Sequence, residues 1–117
     1  MDRKTDEGFP RRQRIVRRSD FGLLYKTGRR LDAGKFVLFV RLNDLGFPRL
    51  GLTVSRKVGG AVVRNRVKRL FREVFRRLAA DIPCPFDFVV NAKRECAGVT
   101  QAALREDFLS AVRKICR

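Results

Sequence analysis

Histidine and tryptophan are both absent from this chain of 117 residues, and tyrosine occurs once. Without histidine there is no imidazole base, and neither a Ser-His nor a Cys-His partnership can form. Cysteine is scarce. Cys84, Cys96 and Cys116 are widely spaced and odd in number, with no CxxC pair, so they read as free thiols in a reducing cytoplasm, not as a zinc site or a disulfide framework. Carboxylates are the rarer charge, 12 Asp and Glu against 28 Lys and Arg. They are scattered, and none sits in a motif for metal-assisted hydrolysis. No apolar run approaches the roughly 20 residues of a membrane-spanning helix. The opening MDRKTDEGFPRRQR lacks the apolar core of a secretory signal. Gly59-Gly60 near Lys57 does not complete a phosphate loop, which needs GxxxxGK[ST]. These absences leave a binder whose own side chains make no catalytic or metal site.

What is present in excess is positive charge. The formal net charge is +16 and the isoelectric point is near 11.4, which points to nucleic acid first and an anionic membrane surface second. An apolar fraction of 44% is that of a globular protein, and the length suits one domain. Residues 1–14 are charged and aperiodic and read as a mobile basic arm, leaving 15–117 as a single RNA-binding domain.

The chain is organised around Arg49 to Leu78. Leu50, Leu52 and Val54 alternate with Gly51, Thr53 and Ser55, the period of a strand. Gly59 and Gly60 break the pattern. Val63, Val67, Leu70, Phe71, Val74 and Leu78 then recur at three- and four-residue steps, one face of a helix. Asn65, Arg69, Arg72 and Arg76 point away from that stripe, with Arg64 and Lys68 on one shoulder and Arg66 on the other. Glu73 is the only carboxylate among them. A solvated helix face ordinarily mixes signs. This one stacks like charges at a cost in stability, which a bound polyanion would offset.

Before that stretch, Ser19 is the expected N-cap and Gly28 the stop of a helix in which Phe21, Leu24 and Tyr25 share a face. Arg29 to Lys35 reads as a loop. Phe36 to Leu42, FVLFVRL, is apolar on both faces and reads as a covered strand, joined by the turn residues Asn43, Asp44, Gly46 and Pro48 to the next strand in an antiparallel hairpin. Beyond the basic helix, Asp81, Pro83 and Pro85 end the helical pattern, and Phe86 to Ala92 is a further strand in which Asn91 is the odd residue, either at the strand end or in need of a hydrogen-bond partner. After the Lys93–Gly98 loop, Thr100 caps a last helix with the stripe Leu104, Phe108, Ala111, Val112 and Ile115. The fold class is α+β: a single-domain α-β sandwich with a small, mainly antiparallel sheet and a basic crossover helix.

Ser55 to Glu73, SRKVGGAVVRNRVKRLFRE, closely resembles the signature of the protein component of bacterial ribonuclease P. Arg17 to Phe21, the strand Phe36 to Phe39 and the GLTVS strand Gly51 to Ser55 fit the same family in order and spacing. The resemblance implies a left-handed strand–helix–strand crossover, an exception to the usual hand. It implies a subunit of an endoribonuclease that removes the 5′ leader of precursor tRNA. The chemistry is then carried by the catalytic RNA subunit, and Mg2+ is expected in the holoenzyme mainly through that RNA. Residues implied to face the catalytic RNA are Lys57, Arg64, Asn65, Arg66, Lys68, Arg69 and Arg72. Those implied for a cleft that takes the single-stranded leader are Phe21, Tyr25, Phe39 and Thr53. By burial trend alone these rings would be core. The family places them at a cleft floor, where aromatic faces stack on unpaired bases without demanding a sequence. The partners implied are the catalytic RNA and precursor tRNA in the cytoplasm, with no membrane and no obligate protein partner. Composition alone is equally that of a structural RNA-binding protein, ribosomal or chaperone-like, with no role in cleavage. A DNA-binding helix-turn-helix is disfavoured because a strand, not a helix, precedes the basic helix.

Overall fold

The structure, a computed structural model, describes residues 11–79 and 85–115. Four strands form one sheet: β1 Arg29–Asp32, β2 Phe36–Leu42, β3 Arg49–Thr53 and β4 Phe86–Ala92, in the order β1-β2-β4-β3. The first two pairings are antiparallel and β3–β4 is parallel. Helix α1 (Arg18–Thr27) lies on one face, and α2 (Ala61–Ala79) and α3 (Gln101–Ile115) cover the other.

The hairpin expected between Phe36–Leu42 and the next strand does not form, because β4 sits between the two. Phe88, Val89 and Val90 of β4 are fully buried, so this strand needs cover on both faces and a neighbour on both edges, which only a central position supplies. The Asn43 N–H donates to the Pro85 carbonyl at 2.7 Å and aligns the end of β2 with the start of β4. Parallel β3 and β4 then require a crossover, and α2 is that crossover. The expected loop from Arg29 to Lys35 is also corrected: its first four residues are β1. Their sequence, RRLD, offers one apolar residue, as befits an edge strand guarded by charge. Gly34, at φ +92°, makes the turn into β2, and its N–H donates to Asp32 Oδ1.

The large core lies between the sheet and α2/α3. Phe36, Leu38 and Val40 point into it, and the rings of Phe36, Phe71, Phe75, Phe88 and Phe108 meet there in mostly edge-to-face contacts such as Phe36–Phe71 at 5.2 Å. The expected stripe of α3 is buried throughout, and the Thr100 hydroxyl caps its first turn by accepting from the Ala103 N–H. Helix α1 begins earlier than expected: Arg17, not Ser19, is the N-cap, and no side chain caps it. Its entry is fixed instead by Ile15, whose N–H donates to the Leu50 carbonyl and whose side chain is buried with Leu24 and Val89. Gly28 ends α1 as expected, donating its N–H to the Leu24 carbonyl. Most of the expected arm lies outside the described residues, but Arg11–Gln13 form a 3-10 turn and Arg14 bridges to β3. Cys84, Cys116, Asp81 and Pro83 also lie outside the described residues. Cys96 is buried, its thiol donates to the Lys35 carbonyl, and burial pushes its pKa up to about 11, so it is an inert core thiol.

Candidate nucleic-acid interface

Strand side chains alternate between faces, so the register sorts the α1 side of the sheet into three rows. The first holds Val37, Asn91 and Thr53; the second Phe39, Val89 and Gly51; the third Arg41, Asp87 and Arg49. Opposite them, Tyr25, Phe21 and the capping Arg17 follow one another at four-residue steps along α1, a single helix face.

In the first row the Tyr25 hydroxyl donates to Asn91 Oδ1 at 2.9 Å and lies 3.0 Å from Thr53 Oγ1. Asn91 thus has the partner its place in the strand called for. The clamp holds the Tyr25 ring edge-on to Phe39, with centroids 5.0 Å apart, while leaving the tyrosine 40% exposed. In the second row Phe21 lies directly on the backbone of β3. A Cβ at Gly51 would stand 2.8 Å from Phe21 Cζ, so only glycine permits that approach. Phe39 is half-buried and packs on the small core of Ile15, Leu24 and Val89. The four residues expected at the cleft are therefore brought together; Asn91 and Gly51 complete it and were not expected there. No periodicity marks either one, although a polar residue inside an apolar strand and a glycine opposite an aromatic helix are the signals available.

The third row is electrostatic. Arg49 grips Asp87 through two hydrogen bonds of 2.9 and 2.7 Å, Asn43 Nδ2 donates to the same carboxylate, and Asp20 stands 3.8 Å from the guanidinium. Asp87 is 5% exposed, so this pairing supplies the partners that a buried carboxylate requires.

On α2 the charges are divided along the helix. Glu73 accepts from Arg76 and Arg77, and these bonds, that of Arg76 foremost, hold its carboxyl below the ordinary glutamate range. The preceding part of the helix has no carboxylate of its own. Asn65 and Arg69 are exposed, as is Lys57 in the turn before the helix. Arg64 and Lys68 are half-buried, and the buried Nε of Arg64 has no acceptor among the described residues. Lys68 and Arg72 line a cavity of about 160 Å³ against the outer edge of β3, together with Arg14 and Val16. Arg66 differs from its neighbours. It donates from Nη1 to the Ala97 carbonyl at 3.2 Å and from Nη2 to that of Val99 at 2.9 Å, strapping α2 to the 3-10 helix Arg94–Gly98.

Comparison with known proteins agrees with this architecture. A family model described as Ribonuclease P matches residues 9–116. The ribonuclease P protein component of Thermotoga maritima is 41% identical over 113 residues, which cover 93% of this chain and 97% of that protein. That of Klebsiella pneumoniae is 43% identical over 110 residues, covering 93% and 92%. Among solved structures, the RNase P protein from Thermotoga maritima superposes with a TM-score of 0.79 at 38% identity, over 87% of this chain and 96% of that one. One from Staphylococcus aureus gives 0.78 at 32% identity, over 90% and 95%.

Proposed function

The chain belongs to the ribonuclease P protein family, as a protein subunit of an endoribonuclease of tRNA processing, and we propose that it works there by holding two RNAs on separate surfaces. The first surface is the turn at Lys57 and the part of α2 ahead of Glu73, where Arg64, Asn65, Lys68, Arg69 and Arg72 dock the catalytic RNA. Guanidinium forks suit phosphates, and Asn65 offers both a donor and an acceptor to a folded RNA surface. Arg66 serves this surface by fixing the helix. The second surface is the α1 cleft, where Tyr25, Phe39 and Phe21 take unpaired bases of the 5′ leader.

The observation that carries this reading is Tyr25. A ring 40% exposed, held in place by two polar side chains from neighbouring strands, is prepared for a ligand and is not buried as core. Asp32, Asp87, Asp107 and Glu73 are each engaged by a cation of the chain itself. On this reading Mg2+ reaches the holoenzyme through the RNA, as the family resemblance implies. A structural RNA-binding role without cleavage is set aside by family membership. No helix of the described residues is long and apolar enough to cross a membrane; a cytoplasmic location is part of the proposed role in tRNA maturation.

The test is reconstitution with a catalytic RNA subunit at low magnesium, measuring affinity for precursor and for mature tRNA. Tyr25→Ala is expected to weaken binding of the leader-bearing tRNA by about 1–3 kcal/mol and to leave mature tRNA nearly unchanged. Equal losses for the two RNAs would sink the cleft assignment.

A further inference from the structure

Helix α1 carries a single carboxylate, Asp20, one residue before Phe21. In a chain with 28 Lys and Arg, a negative charge beside a surface for RNA repels the phosphates that the other charges attract. Its presence there needs a compensating role. A carboxylate in a first turn complements the helix dipole, and the N-cap of α1 supplies no side-chain hydrogen bond. The dipole accounts for a carboxylate anywhere in that turn. It does not account for the group that stands opposite Asp20.

That group is Arg49, whose Nη1 lies 3.8 Å from Asp20 Oδ2. Arg49 is not free to follow the helix. Its Nε and Nη2 donate to the Asp87 carboxylate at 2.9 and 2.7 Å, and Asn43 Nδ2 holds the same carboxylate at 2.7 Å. Asp87 is buried on an interior strand, so the guanidinium is a fixed post on the sheet. Helix α1 is thus held by side chains at two points. In its last turns the Tyr25 hydroxyl is clamped by Asn91 and Thr53 at 2.9 and 3.0 Å, whereas the link at its first turn is a charge attraction beyond hydrogen-bond length. Phe21 lies between the two, on the bare backbone of Gly51. We propose that Asp20 is a positioning residue, which through Arg49 sets the height of the first turn of α1 over the sheet and so the width of the cleft at Phe21. The tie itself touches no RNA. This assignment rests on the reading of the cleft as the leader site.

Loss of the charge and loss of the tie have opposite signs. Removing a carboxylate raises affinity for any RNA, while releasing the first turn lowers affinity for leader-bearing tRNA alone. The experiment uses the holoenzyme reconstituted with its catalytic RNA and compares precursor with mature tRNA, at a temperature where melting curves show every variant folded. Asp20→Asn is expected to weaken precursor binding by about three- to fivefold, the limit set by a partly exposed ion pair, and to leave mature tRNA unchanged. Asp20→Glu, which keeps the charge within reach of Arg49, is expected to recover most of that loss. The double variant Ser19→Asp, Asp20→Asn returns a carboxylate to the first turn but rotates it by about 100° around the helix. It is expected to regain stability and still to bind leader as weakly as Asp20→Asn. Precursor affinity that is unchanged or raised in Asp20→Asn overturns the assignment, as does an equal loss for both RNAs. A glutamate variant as weak as Asp20→Asn also overturns it. So does a double variant that binds leader normally, since the dipole would then be the whole role of Asp20. Tyr25→Ala tests the cleft separately: if it weakens precursor binding and Asp20→Asn does not, the cleft stands and the tie falls.

Discussion

Arg66→Ala separates a structural arginine from an RNA-binding one. Both η nitrogens of Arg66 are committed to carbonyls of the segment after β4, at 3.2 and 2.9 Å. Val99, which supplies one of those carbonyls, is buried. Hydrogen bonds from a charged donor contribute about 1.5–3 kcal/mol each when intact. Arg66 is only half-buried, so the pair together is set at the low end, about 2–3 kcal/mol. For a domain of this size that loss lowers the melting temperature by roughly 10 °C. Arg69 is the control, exposed on the same helix and without an ion pair among the described residues. Arg69→Ala is expected to change stability by less than about 0.5 kcal/mol. Its effect falls on the RNA: the slope of log affinity for the catalytic RNA against log salt becomes shallower by about 0.7–0.9, one phosphate contact fewer. Arg66→Ala is expected to leave that slope nearly unchanged while the free protein melts early. If Arg66→Ala melts with the wild type and flattens the salt slope as Arg69→Ala does, the strap is wrong and Arg66 faces the RNA.

Gly51→Ala drives a methyl group to 2.8 Å from the Phe21 ring and 3.1 Å from Ile15 Cβ. A stability loss of about 1–3 kcal/mol and a several-fold loss of leader-dependent affinity are expected, with affinity for the catalytic RNA unchanged; a variant that binds leader normally would show that Phe21 has no part in the cleft. For Cys96, burial raises the thiol pKa from 9.0 to about 11, so the fold favours the neutral form. Its contribution to stability is complete below pH 9.0 and is lost as pH rises toward about 11. Urea midpoints measured across that range should fall more steeply for the wild type than for Cys96→Ala, and parallel curves would refute the burial.

Legibility in the sequence follows the physics of each element. β2, β4, α2 and α3 were readable to within a residue or two because burial writes itself as apolar periodicity. β1 was not, since an edge strand of sequence RRLD buries almost nothing. The order of the strands was hidden for a different reason. Periodicity reports which face of a strand is covered and says nothing about which strand lies beside it, so β2 and β3, neighbours in sequence, were paired with each other instead of with β4. Arg66 shows the same limit on a helix. Its angle placed it on a shoulder of the apolar stripe, and from a shoulder a long side chain reaches either solvent or the adjoining segment. Only the position of Ala97 and Val99 decides.

The site divides in the same way. The basic face of α2 is continuous in sequence, so its charges stood out at once. The cleft is assembled from α1, β2, β3 and β4, whose residues meet only through the register that pairs Thr53 with Asn91 and Phe39 with Val89. The segment from Arg14 to Val16, where the expected arm ends and the domain begins, lies between the two surfaces. It runs along the outer edge of β3, and Arg14 and Val16 line both the small cavity beside Lys68 and Arg72 and the large one beside Arg17 and Arg41. A strand edge left bare would expose unpaired backbone groups between the two proposed RNA-binding faces. Covering it with one arginine-flanked extended segment closes part of the edge, buries Ile15 under α1, and keeps cations on both sides of the seam. Ile15 anchors that arrangement: its backbone holds the edge through Leu50, and its side chain supports Phe21 and Phe39 from below.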